Sequence, residues 1–139
     1  PKRSLGLDIN QFNINHCKSR GLYAELIKDG KFPVDDDSFS TINLDQVLEH
    51  IDEPNILFKE INRYLIIGGR LIVGVPCENG YKRDPDHKVY YDLKKLKKVL
   101  TMYNFSTVKS FYIPIPFKFF GKLIPQRSLY VISKLEKKL

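Results

Sequence analysis

Two histidines stand where the chain could do chemistry. His50 follows a carboxylate in the pair Glu49 and His50, and His87 lies in the segment from Glu78 to Tyr91, with Tyr81, Tyr90 and Tyr91 near it in sequence. An imidazole, with an ordinary pKa of about 6.5, is suited to taking a proton from a hydroxyl. The plainer alternatives are a Glu-His pair that orders the first turn of a helix and a surface histidine at 87. Asp8 closes the apolar run Ser4 to Ile9, the pattern of a buried parallel strand that delivers a carboxylate to its C-terminal edge. The plainer alternative is that it caps the helix that begins nearby. Cys17 and Cys77 are far apart, with no CxxC pair and no His/Cys cluster at ligand spacing, so neither a metal site nor a disulfide is expected.

These residues need elements to hold them. Phe12, Ile14 and Cys17 recur at helical spacing before Gly21, and Leu22 to Ile27 reads as a second strand. Lys28 to Ser38 carries Gly30, Pro33 and three consecutive aspartates, which is loop chemistry. Phe39 to Leu44 is a third strand. A helix from Glu53 or Pro54 to Leu65 is expected to turn Ile56, Leu57, Ile61 and Leu65 inward and to end at Gly68 and Gly69. Leu71 to Val75 is a nearly continuous apolar strand, as expected for the middle of a sheet covered on both faces. Asp92 is an N-cap for a helix running to about Tyr103, with Leu93, Leu96, Val99 and Leu100 inward, and Asn104 serves as its left-handed C-cap. The strands Thr107 to Ile113 and Ser128 to Ser133 follow without a helix between them. The pattern is an open α/β sheet ending in an antiparallel hairpin.

With 139 residues, 42% hydrophobic and 28% charged, the chain has ordinary globular composition and the length of one domain, residues 1–139. No run approaches the roughly 18 to 20 apolar residues of a membrane span, and no signal peptide opens the chain. A reducing cytoplasm is the expected compartment. A chain that opens on Pro1 and enters a strand within a few residues is expected to have been cut from something longer. The net charge of +7 invites a nucleic-acid reading, yet much of the excess lies in Lys94, Lys95, Lys97 and Lys98 on one helix and in Lys134, Lys137 and Lys138. A solvated face explains it, so no nucleic-acid partner is expected.

An ordered series of short segments carries a resemblance. Phe32, Pro33 and Val34, then Asp36 to Phe39, then Val47 to Ile51, and later Leu65 with Gly68 to Leu71, resemble the LPF-x-DGSFD, VLEH and L-x-PGG-x-L segments of class I S-adenosylmethionine-dependent methyltransferases, especially the type 11-like small-molecule group. The similarity runs from Leu5 to about Phe105. It implies a Rossmann-like, mostly parallel sheet, S-adenosylmethionine as cofactor, and a small-molecule acceptor.

The resemblance also implies roles at matched positions. Asp8, followed by Ile9, matches the acidic residue that accepts hydrogen bonds from the two ribose hydroxyls, a task two carboxylate oxygens can perform together. Asp29, with Gly30 and Lys31 beside it, matches the residue that meets the adenine amino group, after a one-residue shift from Lys28. Leu44, Asp45 and Gln46 match the strand edge that backs the methionine part of the cofactor and opens toward the acceptor. His50, as in some family members, and His87, in the segment resembling the substrate-facing loop, are rival candidates for a general base.

The chain departs from the family pattern in places. Ile67 replaces the proline before the glycine pair, and Ser40 replaces an aspartate. More consequential is the absence of the first strand and its GxGxG-like turn, whose backbone and helix N-terminus hold the cofactor in the family. The family strand order 3-2-1-4-5-7-6 makes that strand central, so a rearranged chain would pair the strand at Leu5 with the strand at Phe39. Phe117, Phe119, Phe120 and Leu123, interleaved with Lys118 and Lys122, form a basic aromatic patch that could cover a substrate or touch an anionic membrane surface. The expected activity is methyl transfer to a sugar or glycan hydroxyl, absent from the isolated chain. A non-catalytic interaction module of the same fold is the alternative.

Overall fold

The computed structural model describes residues 4–114 and 127–139. Its contacts group the chain into two compact units, Pro1–Asp35 and Asp36–Leu139. The basic aromatic patch at Phe117 to Leu123 lies outside the described residues.

In the first unit, strand β1 (Gly6–Asp8), helix α1 (Gln11–Ser19) and strand β2 (Ala24–Leu26) form a parallel βαβ arrangement, with Gly6 opposite Ala24 and Asp8 opposite Leu26. The Asn10 side chain caps α1 by accepting from the Phe12 N–H at 2.9 Å. Past the helix, Gly21 takes a φ of 73°, a left-handed geometry that a glycine adopts without strain. After β2 the chain reverses at Lys28 to Lys31, closed by a 2.9 Å bond from the Lys31 N–H to the Lys28 carbonyl. Asp29 and Gly30 both have positive φ, 52° and 72°, the type I′ geometry that an Asp-Gly pair favours.

The second unit holds strands β3 (Phe39–Asp45), β4 (Leu65–Pro76), β5 (Phe105–Ile113) and β6 (Ser128–Leu135), in the order β3-β4-β6-β5. β3 and β4 are parallel, and β6 is antiparallel to both neighbours. Helices α2 (Asn55–Tyr64), α3 (Glu78–Tyr81) and α4 (Leu93–Met102) complete it, with a 3-10 turn at Leu48–His50. Leu71, Val73 and Val75 of β4 are fully buried, as are Phe58 and Ile61 of α2 and Leu96 and Leu100 of α4. Each such side chain contributes about 1.5–3 kcal/mol relative to exposure, and together they fix β4 in the middle of the sheet. Gly74 and Pro76 are buried too, so the C-terminal half of β4 is covered on both faces.

In the second unit the order β3-β4-β6-β5 matches the family's 4-5-7-6, and in the first unit the pair β1-β2 matches its 2-3. Among the described residues β1 is paired with β2 and β3 with β4.

Two expectations need correction. Gly68 and Gly69 do not end α2. That helix stops at Tyr64 and the chain enters β4 directly at Leu65, so the glycines fall inside the strand. There the register steps from Phe39 opposite Leu65 to Thr41 opposite Arg70, and the intervening residues bulge outward. Gly68 has a φ of 80°, and a Cβ on Gly69 would stand 2.8 Å from the Ile66 carbonyl, so the bulge is what requires both glycines. The second correction concerns the face of α2. Ile56 is 68% exposed and Phe58 takes the inward position, because the buried stripe runs through Phe58, Ile61, Asn62 and Leu65.

Candidate active site

β3 ends where the sheet opens. Leu44 is buried, Asp45 is exposed, and Gln46 turns the chain with a left-handed φ of 53° while its N–H donates to the Gly74 carbonyl at 2.9 Å. The Tyr130 hydroxyl donates to Oδ1 of Asp45 at 2.8 Å, and the Tyr130 ring stacks on Phe111. Burial, reinforced by the hydrogen bond to Asp45 and its charge, pushes the Tyr130 phenol up to about 12. The Gln46 side-chain amide donates to the Ser128 hydroxyl at 3.3 Å, which places both on the rim of a cleft.

That cleft, of about 660 Å³, is lined by Gln46, His50, Gly80, His87, Arg127 and Ser128 among others. It lies past the C-terminal ends of the parallel strands, where open α/β sheets place ligands. The 3-10 turn puts Glu49 inward and His50 at the cleft. The Glu49 peptide carbonyl then accepts from the N–H groups of both Lys88, at 2.8 Å, and Val89, at 3.0 Å, which draws the segment containing His87 onto the turn.

The two imidazoles meet with ring centroids 4.7 Å apart. His87 Nδ1 lies 2.8 Å from the Tyr81 carbonyl, and His50 Nδ1 lies 3.3 Å from the Asp86 carbonyl. A carbonyl can only accept, so each Nδ1 carries a proton and each neutral ring keeps its lone pair at Nε2. Tyr81 also stacks on His87, at 5.5 Å and 13°.

Glu49 is 1% exposed, and its Oε1 stands 3.8 Å from His87 Nε2. Asp84 Oδ2 is the same distance from that nitrogen. Neither Glu49 oxygen has a partner at hydrogen-bond geometry among the described residues. Burial raises the Glu49 carboxyl above its ordinary range, while its own peptide N–H and the His50 and His87 rings work against the rise. Arg127, 8% exposed, lays its guanidinium 4.1 Å over the Tyr112 ring, and its Nε and Nη2 likewise have no partner among the described residues.

In the first unit, Asp8 is half-buried at the end of β1. Its Oδ1 accepts from the Asn10 N–H and its Oδ2 from the Asn13 amide, each at 2.8 Å. The capping alternative is therefore realised, yet each oxygen retains a lone pair for a further donor. Ile9 is 80% exposed, and Asp29 and Gly30 are exposed in their turn. Taken singly these groups fit the cofactor: a carboxylate with open lone pairs suits ribose hydroxyls, and an exposed turn carboxylate suits an adenine amino group.

Thus Gln46, His50 and His87 share one cleft, while Asp8, Asp29 and Gly30 stand at the ends of β1 and β2. Sequence reasoning passed over Glu49 as a buried carboxylate and missed Arg127 and Tyr130. The adjacency of Glu49 to His50 was the one available signal. A second depression, at Asp36, Arg63 and Lys138, is occupied by internal ion pairs of Arg63 with Asp36 and of Lys138 with Asp37.

A family model described as a methyltransferase domain matches residues 2–73. The chain belongs to the class I S-adenosylmethionine-dependent methyltransferases, whose cofactor is S-adenosylmethionine. It is similar to an uncharacterised protein of Methanocaldococcus jannaschii, 26% identical over 105 residues that make up 76% of this chain and 49% of that protein. The chain thus spans about half the length of that curated relative. Its fold is similar to a SAM-dependent methyltransferase from Archaeoglobus fulgidus, with a TM-score of 0.75 at 16% identity over 94% of this chain and 75% of the other. A SAM-dependent methyltransferase from Methanosarcina mazei aligns with a TM-score of 0.72 at 15% identity over 94% and 80%.

Proposed function

We propose that this chain carries the acceptor cleft and the ribose and adenine contacts of an enzyme that methylates a hydroxyl of a small molecule, a sugar or glycan, in the cytoplasm. The observation that supports it most is the pair of imidazoles, His50 and His87, both lining the cleft and both held through Nδ1 by backbone carbonyls. S-adenosylmethionine, when bound, supplies a methyl group on a positively charged sulfur. Asp8, with Ile9 beside it, accepts the ribose hydroxyls, Asp29 and Gly30 meet the adenine, and Leu44 to Gln46 back the methionine part. An acceptor hydroxyl in the cleft would give its proton to Nε2 of His87 or His50, while the methyl would leave the cofactor's sulfur, which becomes a neutral thioether, for the acceptor's oxygen. Glu49 beside His87 favours the resulting imidazolium. Positioning provides most of the rate, and the proton transfer about 10²–10⁴-fold.

We further infer that these 139 residues do not catalyse alone. No GxGxG turn occurs in the chain, and its paired glycines serve a strand bulge. The alternative, a non-catalytic module, is favoured by the local hydrogen bonds that already occupy Asp8. The test is transfer of labelled methyl from S-adenosylmethionine to a panel of sugars by a chain extended through its upstream gene sequence. Transfer that falls at least about 100-fold in His87→Ala or His50→Ala supports the reading. Cofactor binding without transfer to any acceptor class supports the module.

A further inference from the structure

We propose that Glu49, His50 and His87 form a binding site for a divalent transition cation of the zinc type. One ligand atom from each residue lies within 4.8 Å of the others, and His87 Nε2 and Glu49 Oε1 are 3.8 Å apart. Bonds of about 2.0–2.2 Å to zinc place tetrahedral ligand atoms roughly 3.3–3.6 Å from one another, so small side-chain rotations close the site.

Three observations favour a cation over a simple ion pair. The Glu49 carboxylate is almost wholly buried with no other residue's donor at hydrogen-bond geometry among the described residues, and its 3.8 Å approach to His87 is too long for a hydrogen bond. A buried carboxylate in that state calls for a positive charge close to both oxygens. Both imidazoles are pinned through Nδ1 to the backbone carbonyls of Tyr81 and Asp86, the outer arrangement that fixes metal-binding histidines with Nε2 toward the ion. Finally, Asp84, half-exposed on the cleft side and 3.8 Å from His87 Nε2, supplies a further oxygen. Two imidazoles and carboxylate oxygen suit zinc and its first-row neighbours better than magnesium or calcium.

The inference rests on the methyl-transfer reading only for its use. With a cation bound, the acceptor's hydroxyl would be a remaining ligand of lowered pKa and would lose its proton to solvent; proton transfer to an imidazole belongs to the cation-free protein.

Binding itself is tested without cofactor or acceptor. The EDTA-treated, dialysed chain is titrated with zinc chloride by calorimetry and with cobalt(II) by visible absorption. One equivalent bound in the micromolar range or tighter is expected, with nitrogen-ligated cobalt bands that zinc displaces. His87→Ala, His50→Ala and Glu49→Gln should each weaken binding at least about 100-fold, since losing an outer partner alone costs about 10–100-fold. His16→Ala, an exposed histidine on α1, should leave it unchanged. Should His87→Ala unfold, as read by circular dichroism, the more exposed His50→Gln carries the same expectation. Absence of stoichiometric binding, or binding that survives loss of His50 or Glu49 in folded variants, overturns the site. Cation binding without methyl transfer leaves the site standing and sinks only the reading on which its use rests.

Discussion

The Tyr130 hydroxyl reaches across β4 to Oδ1 of Asp45, at 2.8 Å, and Gly74 is the residue that lets it pass. A Cβ at position 74 would stand 2.4 Å from that oxygen and 2.6 Å from Cε1 of the Tyr130 ring. The cross-strand bond therefore depends on a missing side chain. Gly74→Ala should force the ring and the carboxylate apart and cost about 1–3 kcal/mol, measured by urea unfolding. An unchanged midpoint would show that the contact is not held as described.

The same bond sets an alkaline signature. Because Tyr130 is raised to about 12, the folded state favours the neutral phenol. The associated stabilisation is present in full below the unfolded tyrosine pKa of about 10 and is lost as pH rises through about 12. In a spectrophotometric titration Tyr130→Phe should remove the highest-pH phenolate step, and it should flatten the fall in stability between about pH 10 and 12. A titration curve with that late step intact would contradict the assignment.

Glu49 is costly in the metal-free protein. A buried carboxylate that meets no donor from another residue is costly to desolvate, so Glu49→Gln in EDTA should raise stability by roughly 1–2 kcal/mol. Thermal melts of the two proteins in EDTA read the sign directly. A lowered melting temperature would mean that the charge is better compensated than its contacts indicate.

Asp92 caps α4 by accepting from the Lys95 N–H at 2.7 Å. Asp92→Ala should cost about 1 kcal/mol in denaturant unfolding, and Asp92→Asn much less, since the amide oxygen can accept the same bond. Equal losses in the two variants would point to charge rather than the cap.

Where a feature is local, the sequence carried it. The Asp92 cap and the positive φ of Asn104 depend on residues whose own chemistry dictates the geometry. Gly68 and Gly69 misled, because a glycine pair after an apolar helical face reads as a helix end, and only the partner strand β3 reveals a bulge. The cluster at His87 was out of reach for the same reason. It exists because the Glu49 carbonyl captures two N–H groups from a distant segment, a contact that no spacing encodes. Arg127 was one of 23 basic residues, and nothing in the sequence marked it as buried.

The most direct test of the account is calorimetric titration with S-adenosylhomocysteine of this chain and of the chain extended by its upstream gene sequence. Micromolar binding by the extended chain, lost in Asp8→Ala, with no saturable binding by the 139 residues alone, is the predicted result. Equally tight binding by the 139 residues, or binding by the extended chain that is indifferent to Asp8→Ala, would contradict it.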